Sequence, residues 1–321
     1  MVPFCNGNSN FASKIQEEKK MRRLLGILLA LSAFFVESEA QLLYRISGNN
    51  LKEPSFLLGT YHLAPSSFTD SIPGFKASFD QARQVCGEIL EEEMLKPDTV
   101  AKMQAAMMLP DDMTIQKMLS GEEMIALNAF TLDLMGVDFS NPLVGAQLGK
   151  MTPAALTTQF TLLLYLKNTP GFNVTDGIDY YVQARGAESG KKVLGLETVT
   201  DQIKVLFTSQ SLERQKELMM CMVNNKDYYV NLADELTMAY FTQQLGKIEE
   251  VMDLKLNDQC DNTDEETDVL ISNRNANWAR KMPAIMGEAS TFFAVGAGHL
   301  GGEKGLIRLL QQEGYMVEPV K

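Results

Sequence analysis

Two segments from opposite ends of the chain share one pattern. Leu57-Leu58-Gly59-Thr60-Tyr61-His62 and Ala294-Val295-Gly296-Ala297-Gly298-His299 each run from an apolar stretch through a glycine to a histidine three residues later. The chain has 2 histidines, and both fall in this context. A short apolar run stopped by glycine reads as a buried strand ending in a tight turn. Histidine is also the side chain best suited to proton transfer and metal ligation near neutral pH. The pairing therefore predicts a fold in which two strand ends bring His62 and His299 together.

The flanking sequence supplies more strands. Leu42 to Ile46 and Ser55 to Leu58 are short apolar runs joined by Ser47-Gly48-Asn49-Asn50, a turn cluster that predicts a hairpin. Ile72-Pro73-Gly74 leads into a helical pattern through Phe75, Phe79 and Ala82, and Gln84 to Leu90 then reads as a strand carrying Gly87-Glu88. Strand, crossover helix and strand make a parallel, right-handed unit, with Glu88 expected on the strand beside the one that ends at His62.

From 98 to about 256 the pattern is mostly helical, rich in Met and Leu and punctuated by Pro110, Gly121, Gly136, Pro142, Pro153 and Pro170. The methionines of Met103 to Met124 and Met219, Met220 and Met222 read as core filling by flexible thioethers rather than as a soft-metal surface. Within this region Asp176-Gly177-Ile178-Asp179 opens a helix running to about Gly190. A strand follows from Lys192 to Leu196 and ends at Glu197. Ser211 to Asn224 and Asp227 to Glu250 read as a long amphipathic helical hairpin. The expected class is α/β: a mixed, largely parallel central sheet with a large inserted helical region, in one domain spanning 41–321. Asn173-Val174-Thr175 matches a glycosylation acceptor, with meaning only in a host that glycosylates exported chains.

Residues 21–40 have the form of a secretory signal: Met21-Arg22-Arg23, an apolar run from Leu24 to Val36, and Ser38-Glu39-Ala40. Residues 1–20 then read as a polar extension outside the folded protein, and Gln41 as the first mature residue. The alternative is a signal anchor, although the run is short for a membrane span, and no stable span is expected after cleavage. The expected location is periplasmic or secreted. The chain carries a formal net charge of −12; residues 1–40 hold five of its 29 basic and four of its 41 acidic residues, leaving −13 beyond them. Such an acidic surface is a poor match for nucleic acid, which needs clustered Lys and Arg. Cys86, Cys221 and Cys260 remain in the mature part, so either Cys221 pairs with Cys260 or all three are buried thiols.

The C-terminal part predicts a helix from Asn273 to about Met286, a strand from Thr291 to Val295, a helix over Leu306 to Gln312 and a last strand from Tyr315 to Val320. Gly296, Gly298 and Gly301 fit the glycine spacing of a dinucleotide-binding turn, and Glu318 follows at nearly the distance of a ribose-binding acid. Being the last unit of the chain, it has no second mononucleotide half to follow. The turn reads better as one that exposes His299 over a helix N-terminus. There is no His-Glu-x-x-His, no Gly-x-Ser-x-Gly and no Walker A loop. What remains is His62, His299, Glu88 and Glu197, all expected at strand ends, where open α/β sheets bind ligands. Two imidazoles with one or two carboxylates suit a divalent metal holding an activated water, with a carboxylate as general base.

These residues carry a resemblance. Leu58-Gly59-Thr60-Tyr61-His62, Gly87-Glu88, Gly195-Leu196-Glu197-Thr198 with Gln202, Arg274-Asn275 and Gly296-Ala297-Gly298-His299-Leu300-Gly301 resemble the TraB/GumN family, to which Tiki-type metal-dependent proteases also belong. The resemblance spans nearly all of the mature chain. It implies an α/β fold like that of erythromycin esterase-like and ChaN-like proteins, and an active site made by the two Gly-x-x-His motifs and the glutamate. The activity it implies is peptide cleavage dependent on manganese or cobalt, and the cofactor expected at the site is a divalent metal, Mn, Co or Zn. His62, Glu88 and His299 are then expected to bind the metal or its water, with Gly59, Gly296 and Gly298 shaping the cofactor site. Glu197 is expected behind them or as general base, and Arg274 paired with a carboxylate of the site or with the oxyanion. Arg274 and Asn275 as residues that cap and anchor a helix, and Glu197 as a structural partner of Arg274, stay open. So do a metal-free esterase-like hydrolase and a non-enzymatic protein binding haem or another metal-bearing ligand.

Overall fold

The computed structural model describes residues 41–169, 173 and 175–321. The signal-like segment, the extension before it, Pro170 and the middle residue of Asn173-Val174-Thr175 lie outside the described residues.

Six strands form one sheet: β1 Leu43–Gly48, β2 Ser55–Thr60, β3 Gln84–Gly87, β4 Lys192–Gly195, β5 Thr291–Gly296 and β6 Tyr315–Pro319. Their order is β4-β3-β5-β2-β1-β6. β4, β3, β5 and β2 are mutually parallel, whereas β1 runs antiparallel to both β2 and β6. The sheet is thus mixed and largely parallel, and the class is α/β. The expected hairpin of β1 and β2 forms because Gly48, Asn49 and Asn50 take left-handed φ values of 84°, 47° and 63°. Glycine and asparagine tolerate that region best.

The main helices are α1 Phe75–Gln81, α2 Pro97–Ala106, α3 Gly121–Met135, α4 Pro153–Asn168, α5 Ile178–Glu188 and α6 Val199–Ile203. They continue as α7 Leu212–Asn224, α8 Lys226–Phe241, α9 Leu245–Met252, α10 Asn273–Glu288 and α11 Leu306–Gln312. Strand alternation divides the core between the two faces of the sheet. Phe56, Leu58, Val85, Phe292 and Ala294 pack toward α1, α5, α8 and α9. Leu57, Cys86, Phe293 and Val295 pack toward α10 and α11. A third cluster holds Phe130, Leu156, Phe160 and the buried methionines Met219, Met220 and Met222 among the helices of the middle region, in line with core filling.

Three sequence expectations need correction. β3 is not beside β2: β5 lies between them, so the strand end leading to His299 separates those leading to Glu88 and His62. β5 takes the middle because Thr291-Phe292-Phe293-Ala294-Val295 is buried on both faces, as interior parallel strands are. β3 ends at Gly87 rather than Leu90, which puts Glu88 in the loop beyond it. The helix expected from Asp227 to Glu250 breaks after Phe241, where Gln243 adopts φ 58° and the Gln243 and Gln244 N–H groups bond back to Tyr240 and Ala239. The break turns α9 so that Ile248 and Val251 are buried. Cys221 and Cys260 form a disulfide, and Cys86 is a buried free thiol.

Candidate active site

The carboxyl ends of β2, β3, β4 and β5 converge, and each leads within a few residues to one of His62, Glu88, Glu197 and His299. Register carries the two histidine motifs side by side: Thr60 pairs with Gly296 across β2 and β5. Pairing also persists past β3 and β4, with the Leu196 N–H bonded to Gly87 O at 3.0 Å and the Glu197 N–H to Glu88 O at 2.8 Å. Gln183 of α5 fixes the loop after Glu88, donating to Ile89 O at 3.0 Å and accepting the Glu91 N–H at 3.1 Å. Glycine at 87 is required for this, since a Cβ there would stand 2.3 Å from Gln183 Nε2.

The centre of the buried half is Arg274, in the first turn of α10. Its Nε donates to Glu197 Oε2 at 3.1 Å, and its Nη2 donates to Glu197 Oε1 at 2.7 Å and Glu88 Oε2 at 2.6 Å. Its Nη1 donates to Leu270 O at 3.2 Å and to His299 Nε2 at 3.0 Å. A guanidinium has five N–H donors, and these contacts use all of them. The expectation that Arg274 pairs with a site carboxylate holds twice over; no donor is left for an oxyanion. Glu197 is equally committed, because its Oε2 also accepts the Trp278 Nε1–H at 3.2 Å. Trp278 lies under both cationic and imidazole groups, 4.7 Å from Arg274 Cζ and 4.5 Å from the His299 ring. Leu270 belongs to a π-helical turn, Asp268–Ser272, that precedes α10; such turns recur at functional sites.

His299 sits in a short 3-10 turn, Ala297–His299, and is buried, with its side chain 6% exposed. It is not displayed over a helix N-terminus, since α11 begins only at Leu306. The nitrogen facing Arg274 must accept, so Nδ1 carries the hydrogen and donates to Asn275 Oδ1 at 2.7 Å. Burial pushes its pKa down to about 4, with Arg274 and His62 adding to the effect and Glu88 opposing it. Asn275 is an anchor rather than a cap: its amide donates to His299 O at 3.3 Å and Lys304 O at 2.9 Å.

Glu88 Oε1 accepts the Gly296 N–H at 2.8 Å, and Oε2 also accepts from Gln202 Nε2 at 3.2 Å. Burial alone would raise its pKa; His299, Arg274, His62 and the Gly296 N–H outweigh it and the net direction is down. Glu88 is therefore a fixed carboxylate, and Oε1 keeps acceptor capacity for one more donor.

His62 is the exposed member, with 73% of its side chain accessible. Its Nδ1 lies 2.9 Å from Asp179 Oδ2, and Thr60 Oγ1 donates to Asp179 Oδ1. Asp179 stands in the first turn of α5, where the helix dipole favours negative charge. Asp179 above all, through its charge and its hydrogen bond, with Glu88 and Glu91 adding, raises the His62 pKa to about 9. His62, Glu88, Glu91, Asp179, Gln183 and Gln202 line one cleft of about 190 Å³. Glu91 is raised by burial and by Asp179 and Glu88. Asp179, Gln183 and Glu91 were not singled out from sequence; only the acid in a helix first turn hinted at Asp179.

Gly59 and Gly296 serve close packing, whereas Gly298 faces only the flexible end of the half-exposed Met252 side chain. A Cβ at Gly59 would meet Leu300 at 3.0 Å and Ala297 at 3.1 Å, one at Gly296 would meet Glu88 Oε1 at 3.3 Å, and one at Gly298 would meet Met252 at 2.7 Å. Glu318 lies on β6, paired with Arg45 at the far edge of the sheet, so the dinucleotide pattern has no spatial counterpart. Burial raises the Cys86 thiol to about 12, which removes it as a nucleophile. Among the described residues no group of three or more His, Cys, Asp or Glu side chains is arranged to hold a metal ion. The chemistry of the expected donors is suitable, but their arrangement does not fit a shared divalent centre. Arg274 engages Glu88 Oε2 and the one His299 nitrogen able to ligate. No helix among the described residues is long and apolar enough to cross a membrane.

Similarity to known proteins identifies a family. The chain is 23% identical over 310 residues to the Metalloprotease TIKI2 of Danio rerio, a match that covers 83% of this chain and 58% of that relative. The chain thus spans little more than half the length of this curated relative. No solved structure matches. The family model described as TraB/PrgY/gumN matches residues 42–319, and the chain belongs to that family.

Proposed function

We propose that the protein is a hydrolase that cleaves peptide bonds, with Glu88 and His62 as its reacting groups. The observation that carries this reading is the shared cleft in which a rigidly held carboxylate and an exposed His–Asp pair face one space. Glu88, ionised at neutral pH, accepts a proton from the attacking water through the open capacity of Oε1. His62, protonated at neutral pH and held through Nδ1 by Asp179, gives a proton from Nε2 to the leaving amine. Arg274, Glu197, His299, Asn275 and Gln202 act through Glu88 as positioning residues. Peptide as substrate is supported by the similarity to a relative named a metalloprotease.

That name also favours a metal. A Mn, Co or Zn ion at His62, Glu88 and His299 would have to displace the Arg274 contacts, and no step is routed through one. A haem-binding role is weakened in the same way, since His299 Nε2 is occupied by Arg274. Export is part of this reading, supported by the signal-like residues 21–40 and by the Cys221–Cys260 disulfide, a bond that persists in oxidising compartments. The test is release of fluorescence from a quenched peptide pool by the purified mature chain. Cleavage lost in His62→Ala and Glu88→Gln supports the assignment, and cleavage unaffected by either removes it.

A further inference from the structure

A second cavity is lined by residues on either side of His62 in the same short segment, 61–63. It has a volume of about 270 Å³ and lies between α4 and α8. Tyr61 and Leu63 form part of its wall, while His62 between them lines the proposed catalytic cleft. The other walls are apolar, with Leu164, Val230, Ala233 and Leu236 among them, and Asp234 is the one charged residue among the described residues of the lining. The 61–63 segment is tied to these walls: Tyr165 Oη donates to Leu63 O at 2.8 Å, and Tyr61 Oη lies 3.1 Å from Thr237 Oγ1. The Tyr61 ring also packs 5.3 Å from that of Tyr240. The cavity and His62 are consequently held in one fixed relationship.

A well-formed apolar pocket with a few polar groups at its wall is the default candidate for a ligand site. This one falls below the roughly 300–1,000 Å³ of sites that enclose a whole drug-sized molecule, so its size suits a single side chain. We propose that this cavity is a specificity subsite for a bulky apolar side chain of the peptide substrate, of the size of Leu, Met or Phe, next to the scissile bond. Its role rests on the hydrolase reading, but its occupancy can be measured without hydrolysis.

The test uses methyl NMR of the mature chain titrated with N-acetyl-phenylalanine amide and N-acetyl-alanine amide. Saturable shifts at the Leu63, Leu164, Val230 and Leu236 methyls are expected with the first probe and none with the second. Ala233→Trp, which fills the cavity, is expected to abolish them. Peptides with Phe or Leu at the preferred position are expected to be cleaved at least about tenfold faster than those with Gly, the scale of discrimination that apolar pockets achieve; Ala233→Trp is expected to erase that preference. Absence of shifts at these methyls, or equal shifts with the alanine probe, overturns the subsite. Methyl shifts without cleavage of any peptide would sink the hydrolase reading and leave the binding site standing. Cleavage without side-chain preference or methyl shifts would do the reverse.

Discussion

Arg274 Nη2 lies 2.6 Å from Glu88 Oε2, in a pair whose side chains are 10% and 8% exposed. The two residues are 186 positions apart in the chain, so the contact locks α10 to the end of β3. The same guanidinium neutralises Glu197. Removing one member of a buried ion pair leaves the other charge uncompensated and costs about 3–5 kcal/mol. Arg274→Ala is expected to lower the urea midpoint accordingly. Arg274→Lys is expected to recover only part of it, because an ammonium cannot reproduce the planar fork. Equal midpoints for wild type and Arg274→Ala would contradict the central place given to Arg274.

With 2 histidines in the chain, imidazole titration by NMR reads both environments directly. His62 is expected to titrate near pH 9 and His299 to remain neutral down to about pH 4. The signs differ for stability. The His62–Asp179 pair stabilises fully below the unfolded value of about 6.5 and fades as pH rises through about 9. His299 acts in the opposite direction: the unfolded chain binds its proton more readily, so stability falls as pH drops from about 6.5 toward 4. Asp179→Asn is expected to return His62 toward its ordinary value. Two superimposable titrations near 6.5 would refute the asymmetry of the pair.

Metal binding separates the Arg274-centred arrangement from a metal centre. With its guanidinium engaging His299 Nε2, Glu88 and Glu197, divalent cations must compete with a fixed positive charge. Equilibrium dialysis against Mn, Co and Zn is expected to show weaker binding to wild type than to Arg274→Ala, where the same donors are released. Stoichiometric metal that survives dialysis in wild type and is lost in His299→Ala would show that Arg274 yields the position.

The Cys221–Cys260 bond closes a stretch of chain with a sequence separation of 39 and ties the end of α7 to the segment before α10. Disulfides closing loops of this order contribute about 2–4 kcal/mol. Reduction, or Cys221→Ser with Cys260→Ser, is expected to lower the melting temperature by several degrees. Cys86 is expected to stay unreactive toward thiol reagents until the chain unfolds, because it is fully buried.

Much of the candidate site was legible in the order of residues because its members lie at or just beyond strand ends. An apolar run closed by glycine fixes where a strand stops, and that local rule located His62 and His299 and put Glu88 and Glu197 at strand ends. Strand neighbours were harder: Glu88 was expected beside His62, yet β5 enters the sheet between β3 and β2. That pairing is decided by which strand can be buried on both faces, a property of the assembled layers. Partners were harder still. Asp179 meets His62 across 117 residues, and nothing local to either announces it. The Arg274 fork was foreseen only as one option among several, since whether a guanidinium faces a carboxylate, an oxyanion or solvent depends on how many of its five donors the folded chain already fills.

The most direct measurement is cleavage of the quenched peptide pool by wild type, His62→Ala and Glu88→Gln side by side, with thermal melts to confirm that each variant is folded. The His62 side chain is mostly exposed, so its truncation is expected to leave the melt nearly unchanged while lowering the rate by about 10²–10⁴, the usual worth of a general acid or base. Glu88→Gln is expected to lower it at least as far. Folded variants that cleave at the wild-type rate would contradict the assignment of Glu88 and His62 as the reacting groups.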